Sequence, residues 1–239
     1  PLDGGVSTQD EPRLGEVFRV KRGIATGAND FFILTTEEAQ AKGIPQEFLR
    51  PILVSPRFME GATEVTPGDG LTRWLFSCSL PQEQVQERYP QVWRFLQEGI
   101  ERGVPDGYLC KNRRYWYEQE ARDPPLFFAT YMGRGESERP FRFILNQAGA
   151  VATNSYLMVY AKPRVEEVLR RQPTAARRLW QALNDIAARD LLQAGRVYGG
   201  GLFKLEPKEM ANVPAAGVIR SLGLTLTRPT KLVDPLITA

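Results

Sequence analysis

Leu126-Phe127-Phe128-Ala129-Thr130-Tyr131 is an apolar, aromatic-rich run of strand length. The pattern returns at Phe141-Arg142-Phe143-Ile144-Leu145 and at Leu157-Met158-Val159-Tyr160. Such runs predict strands. Upstream, Val17, Arg19 and Lys21 alternate with Phe18 and Val20, which also fits a strand. Phe31 to Leu34 and Leu71 to Ser77 read as two more. Thr35 and Glu38 have capping-box spacing for a short helix that Gly43 closes. Pro90 suits the first turn of a helix carrying Val92, Trp93, Leu96 and Ile100 and ending at Gly103. The longest helix is expected from a Thr174 cap to about Ala194, with Leu179, Leu183, Ile186 and Asp190 along one face and Gly195 in the C-terminal cap position. Pro207 begins a short helical turn, and the Thr227-Arg228-Pro229 tail reads as irregular. Strands dominate the first two thirds and helix the last third, without regular strand–helix alternation. That places the chain in the α+β class, a β-rich domain with a long helix in its C-terminal third, rather than among doubly wound sheets. Residues 1–14 read as a linker or arm and 15–239 as the domain, β-rich over 15–162 and helical and Gly-rich over 163–239.

Composition narrows the chemistry. The 239 residues, 42% of them hydrophobic, can build a real core, and a net charge of +3 does not resemble a disordered polycation. Seven of the 31 basic residues are lysines and the other 24 are arginines. The planar arginine fork matches phosphates and guanine edges, although a GC-rich genome produces the same bias. Histidine is absent, which removes the commonest general base and the commonest transition-metal ligand. Cys78 and Cys110 are too few and too distant in sequence for a zinc site or a disulfide framework, and they fit a reducing cytoplasm. No apolar run approaches the roughly 18 residues of a membrane span. A start at Pro1 without methionine suggests a piece of a longer chain.

Four constellations carry possible binding chemistry. In Arg196-Val197-Tyr198-Gly199-Gly200-Gly201-Leu202-Phe203-Lys204-Leu205-Glu206-Pro207, two cations and a tyrosine surround a triple glycine. Such a triplet is kept where the backbone turns sharply or approaches something closely, here a bulge, a tight corner or a phosphate backbone. Lys21-Arg22-Gly23-Ile24-Ala25-Thr26-Gly27-Ala28-Asn29-Asp30 couples two cations to a glycine-bracketed loop that can offer N–H groups and short polar side chains to phosphates, or serve as a solvated turn. It lacks the Gly-Lys-Ser/Thr ending of a nucleotide P-loop. Lys111-Asn112-Arg113-Arg114-Tyr115-Trp116-Tyr117 is the densest basic–aromatic cluster. Read as a strand, it sets Arg113, Tyr115 and Tyr117 opposite Arg114 and Trp116, with one face in the core. Arg142, Asn146, Thr153 and Asn154 lie on or beside strands; Arg and Asn read guanine and adenine but also form ordinary turns. Asp123-Pro124-Pro125-Leu126 mimics an amino-methyltransferase tetrapeptide without its aromatic, and reads as a loop entering a strand.

Taken in order, these segments resemble the target recognition domain of adenine-specific DNA methyltransferases from type II restriction–modification systems. The likeness runs from Phe18 through Leu34, through Tyr89-Pro90 and Arg113 to Tyr117, then Arg142 to Asn146 with Thr153-Asn154, and closes on Arg196 to Pro207. The resemblance implies a C-terminal, non-catalytic domain that recognises double-stranded DNA. The catalytic domain, with its S-adenosylmethionine site and Asn-Pro-Pro-aromatic motif, would lie in the N-terminal part of a parent methyltransferase and be this domain's partner. No cofactor, metal site or catalytic residue is expected in this chain. By motif, DNA would be met by Lys21, Arg22, Thr26 and Asn29, by Arg113, Arg114, Trp116 and Tyr117, and by Arg196, Tyr198, Gly200, Gly201 and Lys204, with Arg142, Asn146 and Asn154 as further candidates. Alternatives are the recognition domain of a multi-subunit specificity protein, for which sustained heptads are missing, a stand-alone nucleotide enzyme relying on carboxylates, and a protein-docking domain.

Overall fold

The computed structural model describes residues 11–59, 61–134, 137 and 139–224. Most of the expected N-terminal arm and the Thr227-Arg228-Pro229 tail lie outside the described residues. In chain order, α1 (Leu14–Val17) runs into β1 (Phe18–Arg22), followed by α2 (Asn29–Phe32), β2 (Ile33–Leu34), α3 (Thr36–Ala41), β3 (Leu49–Leu53), β4 (Glu64–Val65) and β5 (Arg73–Phe76). Three helices come next, α4 (Gln82–Arg88), α5 (Pro90–Glu101) and α6 (Tyr108–Lys111). The central strands are β6 (Phe127–Thr130), β7 (Met132–Arg134), β8 (Phe143–Asn146), β9 (Val151–Ala152) and β10 (Tyr156–Ala161). The chain then forms α7 (Pro163–Arg171), α8 (Ala175–Asn184), α9 (Ala188–Ala194), the hairpin β11 (Arg196–Tyr198) and β12 (Leu202–Lys204), and finally α10 (Pro207–Ala211) and α11 (Ala216–Ser221).

The three apolar runs form the middle of a five-stranded sheet ordered β1-β10-β6-β8-β4, antiparallel except for the β4–β8 pair. Successive side chains of a strand point to opposite faces. On the three inner strands both faces are dry. Phe127, Ala129, Phe143, Leu145, Leu157 and Val159 face a core built with Leu14, Val17 and the C-terminal helices. Phe128, Ile144, Tyr156 and Met158 face a second core built with Phe31, Phe32, Phe76 and Phe95. Two-sided burial explains why these runs are continuously apolar instead of alternating. A four-stranded sheet, β2-β5-β3-β9, belongs to the second core, and a three-stranded sheet, β11-β12-β7, carries the glycine hairpin. The α+β expectation holds.

Local signals were read correctly where they are self-contained. Thr35 and Glu38 form the reciprocal capping box of α3, and Gly43 follows it at φ 62°. Gly103 at φ 71° stops α5. Three expectations need correction. Phe31 and Phe32 lie in a helical turn, so both rings enter one core: Phe31 stacks on Phe95 at 4.4 Å and meets Phe32 edge-on at 5.0 Å. A strand would have sent one of them outward. The expected helix to Ala194 breaks after Asn184, whose side chain holds both backbone groups of Phe143 at 3.0 Å, and it resumes at Ala188. Thr174 does not cap it, so α5, with 12 residues, is the longest described helix. On α5 itself, Phe95 turns inward and Ile100 faces solvent.

Because one sheet separates two cores, neither half should melt alone. Phe127→Ala and Phe128→Ala, adjacent residues on opposite faces, are each expected to cost about 3–5 kcal/mol. Both should lower the same single transition in calorimetry or denaturant titration. Separate transitions for the two variants would contradict a shared sheet.

Candidate nucleic-acid interface

The loop after β1 is attached through its main chain. Gly23 N donates to Tyr156 O at 3.0 Å, Ile24 N to Ala152 O at 2.8 Å, and Asn154 N to Ile24 O at 3.0 Å. A Cβ on Gly23 would sit 2.0 Å from the Thr153 carbonyl oxygen, so this close approach requires glycine. Inside the loop the Thr26 hydroxyl donates to Asn29 Oδ1 at 2.5 Å and accepts from Ala28 N at 3.2 Å. Thr26 is buried and works as a brace, whereas Asn29 and Asn154 are exposed side by side with the loop. Arg113 closes the loop from outside: its Nη2 donates to Ala25 O at 2.9 Å, and partial burial lowers the pKa of its guanidinium.

The segment 111–117 is not a strand; α6 ends at Lys111 and the rest is turn. Tyr117 is buried with its hydroxyl donating to Leu80 O at 2.7 Å. Trp116 packs on Phe31 and Phe32, at 5.8 and 6.0 Å, in space that a side chain on Gly99 would fill. Arg114 remains exposed over the Tyr115 ring at 4.8 Å. Asn146 is spent as well. Its amide donates to Pro125 O and Ala150 O and accepts from Ala150 N, closing the turn before β9. Thr26, Tyr117 and Asn146, expected at the surface as contacts, thus have their polar groups engaged within the fold. Arg142 is half-buried, close enough to Tyr156 to oppose the upward push that burial gives that hydroxyl.

The triple glycine is a turn. Gly200 and Gly201 adopt φ 73° and 69°, the left-handed region, and nothing lies within 4 Å of where their side chains would be. The hairpin register pairs Arg196 with Lys204 and Tyr198 with Leu202, and β12 pairs Lys204 with Met132 and Leu202 with Arg134. One face of this small sheet thus presents Arg196, Tyr198, Lys204 and Arg134. At its root stands Tyr131. Its hydroxyl accepts from Arg22 and donates to Glu206 Oε1 at 2.8 Å, and its ring lies 4.5 Å from the Arg22 guanidinium and 4.8 Å from Lys204 Nζ. Lys204 pairs with Glu206 at 3.0 Å, and Arg196 pairs with Glu209. Hydrogen bonds to Tyr131 and Glu206 hold the lysine above its ordinary pKa, and the bond to Glu209 does the same for Arg196. Burial pushes Glu206 up, but its bonds to Lys204 and Tyr131 outweigh this and leave its carboxyl below the ordinary glutamate range.

The first loop, the Arg113 turn and the glycine hairpin are joined by one run of contacts. Arg113 holds Ala25, Arg122 donates to Arg22 O, and Arg22 and Lys204 meet on Tyr131. The sequence singles out the cations and places Glu206 in the closing stretch, but gives no sign of Tyr131, Arg122 or Arg134. Lys21 and Arg22, adjacent on β1, point to opposite faces of the sheet. Among the described residues, no three His, Cys, Asp or Glu side chains group to hold a metal ion, and no helix is long and apolar enough to cross a membrane.

A family model described as the C-terminal domain of the type II methyltransferase M.Eco57I matches residues 6–228. The chain is 29% identical over 198 residues to the type II methyltransferase M.XamI of Xanthomonas campestris pv. amaranthicola, covering 82% of this chain and 34% of that protein. It is 25% identical over 213 residues to M.AccI of Acinetobacter calcoaceticus, covering 86% and 36%. It thus spans about a third of the length of these curated relatives. Among solved structures, the type IIG restriction endonuclease BpuSI aligns with a TM-score of 0.45 at 15% identity, over 88% of this chain and 25% of that one. The type IIL restriction–modification enzyme MmeI, solved in complex with DNA, aligns at 0.42 and 11%, over 93% and 34%.

The depressed Glu206 pKa sets a pH window. Its ion-pair contribution to stability is complete above the ordinary glutamate value of about 4.3 and is lost as pH falls through the lower folded-state value. Glu206→Gln is expected to lower the melting temperature at neutral pH, with the gap to wild type closing in acid below about pH 4.3. A gap that stays constant down to acid unfolding would remove Glu206 from the network.

Proposed function

The chain belongs to the family of type II methyltransferase C-terminal domains represented by M.Eco57I, and we propose that it is the part of such an enzyme that recognises a double-stranded DNA sequence. The observation that carries this reading is the convergence of cations from three distant segments on the contacts around Tyr131 and Ala25. In this reading Arg22, Lys204, Arg196, Arg134 and Arg114 fix the domain on phosphates, which sets register without reading sequence. Lys21 supplies a further cation from the other face of β1. Asn29 and Asn154, exposed beside the loop, are the candidates for base edges, since Asn pairs with adenine in the major groove. Arg113 and Arg142, half-buried, set the loop and the sheet end behind them. Gly200 and Gly201 let the hairpin tip stand clear of the body, Tyr198 shapes the surface, and Trp116 supports the Arg113 turn from its packing on Phe31 and Phe32.

Methyl transfer, on adenine, and S-adenosylmethionine belong in this reading to a catalytic domain N-terminal to this one in a longer chain. The residues present here do not fit that cofactor. Gly199–Gly201 joins two antiparallel strands, and the Gly23–Gly27 loop leads into a four-residue helix. Neither makes the strand–turn–helix cradle of a nucleotide cofactor.

Titration of the 239-residue chain with duplex DNA at several salt concentrations tests the reading. Log affinity is expected to fall linearly with log salt, by about 0.9 per phosphate neutralised. Arg22→Ala and Lys204→Ala should each flatten the slope by about one contact and weaken binding to all sequences alike, while Asn29→Ala should act on sequence preference. DNA binding that ignores salt, or its absence at low salt, would refute the assignment.

A further inference from the structure

Between the first loop and the Arg113 turn lies α6, a single helical turn that exposes apolar side chains. Tyr108 is 76% exposed and Leu109 40%, and Tyr108 is the most exposed large apolar residue described. They are held rigidly. Asn112 Nδ2 donates to Tyr108 O at 2.6 Å, and Cys110, between the exposed residues and the cations that follow, is buried with its thiol toward Thr26 O at 3.9 Å. The turn presses on the first loop: a Cβ on Gly27 would lie 3.1 Å from both Leu109 Cβ and Cys110 Sγ. The rim is cationic. Lys111 Nζ sits 5.8 Å from the Tyr108 ring centroid, Arg113 and Arg114 follow, and residues 108–117 contain no acid.

We propose that Tyr108 and Leu109 form a wedge that enters the base stack of duplex DNA where the first loop meets it. This rests on the DNA-recognition reading above and adds a contact that neither phosphate neutralisation nor hydrogen bonding to base edges provides. Apolar side chains that part a base step unstack it and bend the duplex, bringing more protein surface into contact. A tyrosine ring beside a leucine, on an anchored turn that runs into Lys111, Arg113 and Arg114 and has Asp106 as its one acid within two residues, suits a polyanion with flat apolar faces inside it. The exposed pair Val197 and Tyr198 differs in lying on successive residues of β11, which point to opposite faces of a strand and so do not form one wedge.

The test uses duplexes enriched from a random-sequence pool by the wild-type 239-residue chain, with 2-aminopurine replacing adenine at successive positions. Wild type should raise 2-aminopurine emission at one step as that step unstacks. Tyr108→Ala with Leu109→Ala should lose about tenfold or more in affinity and lose the emission change. The salt slope should stay as in wild type, because no phosphate contact is removed, and the melting temperature should change little, because Tyr108 is exposed and the Leu109 Cβ that meets the first loop is kept. Tyr108→Phe should retain both affinity and emission. A double variant that binds and lights the probe like wild type overturns the wedge, including the case in which this turn docks another protein surface. So does a loss of affinity that appears as a flatter salt slope, since that marks a phosphate contact. Absence of salt-sensitive binding by wild type itself identifies failure of the DNA reading and not of the wedge alone.

Discussion

The inner strands of the five-stranded sheet have no wet face, and that constraint organises everything else. Each of its inner strands must satisfy two cores at once, odd residues in one and even residues in the other. Buried side chains in a close-packed interior leave little freedom to shift. The strands therefore form a rigid partition, and they offer surface only at their ends. Those ends are where the cations gather. Arg22 terminates β1, Tyr131 follows β6, and Asn154 precedes β10. The outer small sheet extends from the same place, because β7 continues the chain immediately after Tyr131 and supplies the edge to which β12 pairs.

The cationic wall is neutralised from below before any ligand arrives. Glu206 and Glu209 alternate with Lys204 and Arg196 across the hairpin root, and both carboxylates also cap α10, where negative charge suits a helix N-terminus. Repulsion among Arg22, Lys204 and Arg196 is thereby relieved, and long side chains that would sample many rotamers are held in place. Ordering them in advance removes part of the entropy cost of association. The same pairing keeps the net charge of the surface modest, which agrees with a chain whose total charge is only +3.

How far the sequence reveals this depends on whether a signal is local. The Thr35–Glu38 capping box, Pro90 at the start of α5 and Gly103 after its end each act within a turn, and each was legible. Phe31-Phe32 was not, because a short apolar run fits strand or helix, and only the remote Phe95 and Trp116 rings decide the matter. The helical periodicity of Leu179, Leu183 and Ile186 continues smoothly through a break made by the hold of Asn184 on Phe143, 41 residues away. The same applies to the site. Cations next to glycines stand out along a chain, but Tyr131 acquires its meaning from Arg22 and Glu206, at separations of 109 and 75 residues. Tyr117 and Trp116 show how neighbours along the chain mislead about packing. Aromatic residues beside arginines suggest stacking on a ligand, and here their rings fill a core.

The attachment of the first loop has one more implication. Gly23, Ile24 and Asn154 anchor it through peptide groups, and Arg113 grips the carbonyl of Ala25. That anchorage does not depend on what Ala25 or Asn154 carries beyond its α-carbon. Substitution at these two positions can change the chemical lettering offered outward while the foundation stays the same. Divergence among relatives should accumulate there at little thermodynamic cost, and Gly23 should be the position that resists it.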